Sequence, residues 1–165
     1  MASAVPDPPR AVAIRRATVA DVGEVAELFA LYRVFYGEAH DVAAAAAFLR
    51  ARLEHDQSTV YLAQSQDGAV VGFAQVYPTF ASVELAPAWR LNDLYVLETA
   101  RGQGVAALLL RAVREGAQDA GAVWIDLETA RGNVKAQRLY EREGYTRDDE
   151  FLHYVTSLDA PRERD

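Results

Sequence analysis

The run Arg101-Gly102-Gln103-Gly104-Val105-Ala106 is the part of this 165-residue chain best suited to chemistry. It follows an apolar strand, Leu94-Tyr95-Val96, and a short turn, and it opens a segment with apolar residues at helical spacing. The first amides of a helix have no intrahelical acceptors and carry the positive end of the macrodipole. A glycine-rich entry therefore lets a diphosphate settle directly on the main chain. A lone Gly-x-Gly would carry little weight, but here a strand precedes it, a helix follows it, and a second block spans 133–145. In that block Asn133 is a good N-cap, Ala136 and Tyr140 lie four apart on one helix face, and Gly144 suits a C-cap. A nucleotide loop is the weaker reading of the glycines. Val105 and Ala106 stand where a P-loop needs Lys and Ser or Thr, and no third glycine completes a dinucleotide fingerprint.

Bulk properties narrow the field. The length suits one domain, with a leader over 1–10 carrying Pro6, Pro8 and Pro9, a domain over 11–159 and a charged tail over 160–165. With no Cys there is neither disulfide nor thiolate nucleophile, which suits a cytoplasmic location. His40, His55 and His153 are far apart, so no metal is expected. A formal charge of -7 argues against a nucleic-acid partner and mildly favours cationic substrates. No apolar run reaches the ~18 residues that span a bilayer, so no membrane association is expected.

The elements that must position these residues follow from periodicity. Val12 to Arg16 reads as a strand, Asp21 to Phe35 and Val42 to Glu54 as helices, and Val60 to Ala63 and Val70 to Tyr77 as a hairpin about Asp67-Gly68. The stretch from Thr79 to Ala88, flanked by Pro78 and Pro87, is expected to be a mobile loop that touches substrate. A fourth strand over Arg90 to Val96, a helix from Val105 ended by Gly121, a fifth strand over Val123 to Leu127 and a helix from Asn133 follow. Strands at Tyr145 to Arg147 and Leu152 to Leu158 close the chain. The order predicts an α/β fold, a mixed sheet of about seven strands with helices on both faces.

With these motifs and this order, the chain from about Val12 to Leu158 resembles the GNAT superfamily of N-acetyltransferases. Its acetyl-coenzyme A signature is Gln or Arg, two residues, Gly, one residue, then Gly or Ala, and it falls on Arg101, Gly104 and Ala106. The resemblance implies that the main chain of Gln103 to Ala106 holds the pyrophosphate of acetyl-CoA, with Gly102 in the same turn and Arg101 in support. The second block is similar to the family's Asn, Ala, Leu-Tyr, Gly-Tyr pattern. It implies that Tyr140 protonates the departing thiolate, and that Asn133, with Ala136 behind it, contacts the pantetheine or orders its loop. The fourth strand is implied to splay from the fifth, so that the pantetheine pairs with the backbone about Leu94, Tyr95 and Val96. Tyr36 and Glu38 between the first helices, and Tyr77 and Phe80 after the third strand, lie where relatives bind acceptor.

Within the superfamily, Leu91 to Val96 with Phe151 to Leu158 looks most similar to the diamine, polyamine and histone group. Diamine acetyltransferases carry a glutamate where this chain has Asn92, so Asn92 is taken as a substrate contact and the base is sought elsewhere. Asp93, which strand alternation turns to the opposite face, Glu84 and Glu128 are the carboxylates that could reach an amine. The reaction implied is direct attack by a primary amine of a small molecule, polyamine-like or amino-acid-like, on the thioester in a ternary complex. An alkyl amine with a pKa near 10.4 is almost wholly protonated at pH 7, so a proton must first leave it. The alternatives are a coenzyme-binding regulatory module without turnover, and an acetyltransferase of protein N-termini or lysines. Relatives commonly pair through their terminal strands, which makes a homodimer an expectation by resemblance.

Overall fold

The computed structural model describes residues 12–158; the expected leader at 1–10 and tail at 160–165 lie outside them. The elements run β1 (Val12–Arg16), a 3-10 turn at 19–21, α1 (Val22–Phe35), α2 (Val42–Glu54), β2 (Thr59–Ser65), β3 (Val70–Ala81) and β4 (Ala86–Val96). A second 3-10 turn at 98–100, α3 (Val105–Asp119), β5 (Ile125–Leu127) and α4 (Val134–Arg142) complete the order. The sheet order is β1-β2-β3-β4-β5, antiparallel throughout except for the parallel β4–β5 pair.

Side-chain alternation gives each strand two apolar faces, and helices cover both. Val25 and Phe29 of α1 and Leu49 of α2 pack on Leu62 and Phe73, while Leu109, Leu110 and Val113 of α3 pack on Ala74, Val76 and Leu91. Leu139 and Tyr140 of α4 lean on the α3 side. The Asp41 carboxylate caps α2 by accepting from the Ala44 amide at 2.9 Å. Gly68, at φ +86, makes the β2–β3 turn that the Asp-Gly pair foretold.

Two expectations need correction. The stretch 79–88 is not a mobile loop: β3 and β4 continue as a long hairpin whose register runs from Gly72↔Val96 to Ala81↔Ala86, closed by a turn at 82–85. Pro78 fits there because β2 pairs with β3 only as far as Val76, leaving no neighbour for the amide it lacks, and Pro87 stands on β4 ahead of the first β4–β5 pair, Trp89↔Ile125. The sheet has five strands among the described residues, not about seven, because 145–147 and 152–158 form no ladder. Alternating apolar residues make a strand only where an edge accepts them, and β5 offers an edge of three residues.

Candidate active site

The cleft opens where two strands part. β4 and β5 pair at Trp89↔Ile125, Arg90↔Asp126 and Leu91↔Leu127, and there β5 stops while β4 continues to Val96. From Asn92 onward β4 is paired only with β3. The resulting cleft of about 800 Å³ is bounded by β4 on one side, Glu128 and Thr129 on the other, the start of α3, one face of α4, and the end of α1.

The start of α3 supplies donors. α2 and α4 are capped by the side chains of Asp41 and Asn133, whereas α3 has Gly104 at its N-cap, no side-chain cap and no acid in its first turn. The first of its amides with a backbone acceptor is Leu108, bonded to the Gly104 carbonyl at 3.1 Å. The N–H groups of Val105, Ala106 and Ala107 are thus left to an anion, at the positive end of a 15-residue helix. Gly102 and Gly104 hold φ values of +77 and +81, which a side chain would strain, and nothing crowds the space where their Cβ atoms would stand. Arg101 ties this loop to the sheet: its Nε donates to the Val96 carbonyl at 2.9 Å and its guanidinium lies 5.6 Å from the Tyr95 ring. Gln103 donates to the Thr99 carbonyl and steadies the same turn.

α4 brings the phenol. Asn133 Oδ1 accepts from the Ala136 amide at 3.2 Å, which fixes the first turn of α4 and sets Tyr140 two turns later on the cleft face. Tyr140 packs edge-on against Tyr145 at 5.9 Å, and burial pushes its hydroxyl up to about 12, with Tyr36 and Tyr145 contributing. It therefore stays protonated across the physiological range.

The acceptor end is built around a bulge. Gln75 pairs with Asp93 but Val76 pairs with Leu91, so Asn92 is an extra residue on β4. Leu91, Leu94 and Val96 all face α3, which strict alternation forbids, and the bulge accounts for the break. It leaves Asn92 on the cleft wall and Asp93, 4% exposed, on the α1 face. There Asp93 accepts from Gln75 Nε2 at 2.7 Å and from Asn92 Nδ2 at 3.1 Å, with the Tyr32 side chain as a further hydrogen-bonding neighbour. Burial raises the Asp93 carboxyl above the ordinary range, against those three hydrogen bonds. Because Asn92 Nδ2 is held by the carboxylate, its Oδ1 is left as an acceptor; the opposite amide orientation would set oxygen against carboxylate.

The structure thus brings together Leu94, Tyr95, Val96, Arg101, Gly102, Gly104, Val105, Ala106, Asn133, Ala136, Tyr140, Tyr36 and Asn92 about one cleft. Tyr77 is on β3 within electrostatic reach of Asp93, and burial pushes its hydroxyl up to about 12. Glu38 is paired with Arg33 outside the lining, and Phe80 sits near the hairpin tip. Glu84 is in the hairpin turn beyond Ala86, and β4 spans about 20 Å from Ala86 to Asn92 at ~3.3 Å per residue. Sequence reasoning passed over Tyr32, Phe35 and Gln75. The signal available was the Asn92-Asp93 pair, two polar residues in succession inside a strand, which marks a bulge and hence a buried partner set. No helix among the described residues is long and apolar enough to cross a membrane, and no group of three or more His, Cys, Asp or Glu among them could hold a metal ion.

Comparison with known proteins matches this architecture. The model of the acetyltransferase (GNAT) family matches residues 25–145. An uncharacterized N-acetyltransferase of Bacillus subtilis, YhfO, is 42% identical over 147 residues, covering 89% of this chain and 98% of that protein. An aminoglycoside N(6')-acetyltransferase type 1 of Serratia marcescens is 32% identical over 115 residues, covering 68% and 79%. Among solved structures, a probable acetyltransferase superposes with a TM-score of 0.85 at 37% identity, covering 90% of this chain and 99% of that one. An aminoglycoside N-acetyltransferase in complex with CoA shares the fold, with a TM-score of 0.75 at 21% identity and coverage of 93% and 99%. A cleft between parting strands, an uncapped helix start and a half-buried phenol are therefore found in a chain that belongs to the GNAT family of acetyltransferases and is an acyltransferase.

Proposed function

We propose that the protein transfers acetyl from acetyl-CoA to a primary amine of a small molecule by direct attack within the cleft. The observation that carries this reading is the uncapped start of α3 opening onto the same cleft as Tyr140 and Asn92. The amides of Val105 to Ala107 would hold the diphosphate. Lys135 and Arg138, which line the cleft from α4 and take part in none of the described ion pairs, would meet further phosphate. The arm would run along the unpaired edge of β4 at Leu94 to Val96, whose amides face the thioester carbonyl and stabilise the oxyanion.

Asn92 Oδ1 accepts an N–H of the incoming amine. Asp93 acts through Asn92 as a positioning residue, fixing that amide and placing negative charge beneath the ammonium. Glu128, the carboxylate that lines the cleft, takes the proton directly or through water, and the neutral nitrogen attacks. As the C–S bond breaks, the Tyr140 hydroxyl donates to the sulfur. Glu84 has no part in this scheme.

Thiol release from acetyl-CoA across a panel of amines tests the proposal: coenzyme binding without release for any amine would defeat it. A cytoplasmic location and a homodimer belong to the same reading. The dimer is supported by the exposed apolar side chains Phe151, Leu152, Tyr154, Val155 and Leu158 near the free edge of β5. His153, 3.4 Å from Glu128, tethers that segment beside the end of β5. Sedimentation at micromolar concentration should give twice the chain mass of 18.1 kDa, and a monomer would remove the dimer from the scheme.

A further inference from the structure

From the charge and shape of the cleft walls we infer that the acceptor is a monoamine with an apolar, preferably aromatic, body, and that polycations such as polyamines and aminoglycosides are poor substrates. The inference rests on the acetyltransferase reading and narrows its substrate. The chain carries 24 acidic and 17 basic residues, yet the cleft reverses that balance. Arg101, Lys135, Arg138 and Arg142 line it, Arg142 lying 3.7 Å from the Glu143 carboxylate, against Glu128 as the carboxylate among the lining residues. Glu128 is itself engaged, 3.4 Å from Arg90 and 3.4 Å from His153. Asp93 is the remaining negative charge near the acceptor end, and it is buried behind Asn92.

One ammonium is therefore accommodated, above the Asn92-Asp93 pair. The second and third ammonium groups of a polycation would find no further carboxylate to pair with, since Glu128 is already shared with Arg90 and His153 and serves the reacting amine, and Lys135 and Arg138 would be occupied by the coenzyme's phosphates. The body of the acceptor meets rings. Phe35 and Tyr36, at the end of α1, line the cleft while remaining 64% and 59% exposed, and their centroids are 5.2 Å apart in an edge-on pair. Tyr32 stacks its edge on Tyr36 at 5.0 Å and continues the apolar wall inward to Asp93. Large apolar rings left open beside a single buried carboxylate suit an amine whose carbon skeleton is to be covered.

The test compares kcat/KM for thiol release with phenethylamine, hexylamine, spermidine and kanamycin at saturating acetyl-CoA. Phenethylamine should exceed spermidine and kanamycin at least tenfold. In Phe35→Glu the apolar wall becomes a carboxylate, so kcat/KM for phenethylamine should fall about tenfold while that for spermidine rises, with the KM for acetyl-CoA unchanged. Phe35 is exposed, so folding should survive, as a melting curve would verify. Faster turnover of spermidine or kanamycin than of either monoamine overturns the inference and leaves the acetyltransferase reading intact. An unchanged spermidine-to-phenethylamine ratio in Phe35→Glu also overturns it. Thiol release with no amine at all, despite coenzyme binding, removes both.

Discussion

Replacing Tyr140 by Phe removes one oxygen from a side chain whose ring is otherwise fixed by packing on Tyr145 and the α3 face. The Tyr140 hydroxyl, pushed up to about 12, is about 3.5 units above a thiol of ordinary pKa near 8.5. Full proton transfer to the thiolate would therefore run uphill by roughly 5 kcal/mol, at 1.36 kcal/mol per unit. In the proposed scheme Tyr140 would therefore supply a hydrogen bond to a sulfur that gains charge as the C–S bond breaks. Hydrogen bonds to charged groups contribute ~1.5–3 kcal/mol, so Tyr140→Phe should lower kcat by about 10- to 150-fold. The KM for acetyl-CoA and the melting temperature should stay close to wild type, because neither depends on the hydroxyl. The wild-type rate should show no alkaline limb assignable to Tyr140 below about pH 10. Thiol release followed continuously, with calorimetric titration of CoA alongside, separates these quantities. A kcat within twofold of wild type, or a loss matched by a large drop in melting temperature, would refute the reasoning.

Gly104→Ala places a side chain at φ +81 without a clash, so it should cost about 1–2 kcal/mol of stability. Because the strain relaxes by turning the α3 amides, CoA affinity should fall at least tenfold; unchanged calorimetric affinity would contradict the anion site. Gly116→Ala would drive a methyl group into the Tyr61 hydroxyl and against the Trp89 ring, far from the cleft. It should lower the melting temperature, by an overpacking cost of ~1–3 kcal/mol, while leaving CoA binding alone; the double variant with Tyr61→Phe should recover part of the loss. The Asp21 carboxyl is lowered from 3.8 to about 2, first by its hydrogen bond from Arg15. A depressed carboxyl contributes stability above pH ~4, and that contribution is lost as pH falls toward about 2. Discounted for the exposure of this surface pair, it is about 1 kcal/mol. The urea-unfolding difference between wild type and Arg15→Ala should accordingly shrink from that value at neutral pH as pH falls through about 2, and vanish only below it.

Local signals in the chain decide local structure, and these were legible. Helical apolar spacing marked α1, α2 and α3, Asp67-Gly68 marked the first hairpin, Asn133 marked the start of α4, and the glycines at 102 and 104 marked the uncapped start of α3. Each depends on backbone geometry within a few residues. The prolines at 78 and 87 read as loop punctuation, yet they sit in a ladder because only the sheet reveals which amides lack a neighbour.

Tertiary structure alone decided three things. Whether the apolar run at 151–158 becomes a strand depends on an edge to receive it, and the described chain leaves it unpaired. Alternation already set Asp93 opposite Asn92, but that it is buried there as a charge against Tyr32, Gln75 and Asn92, with Asn92 an extra residue on β4, follows from the bulge and the packing of α1. The sign of the cleft follows from which of the chain's charges the fold gathers there. A net charge of -7 is a property of composition, but a cationic cleft arises because α4 and the turn before α3 bring their basic residues to one gap in the sheet. Coulomb interactions act over distances in space, and spacing along the chain does not report them.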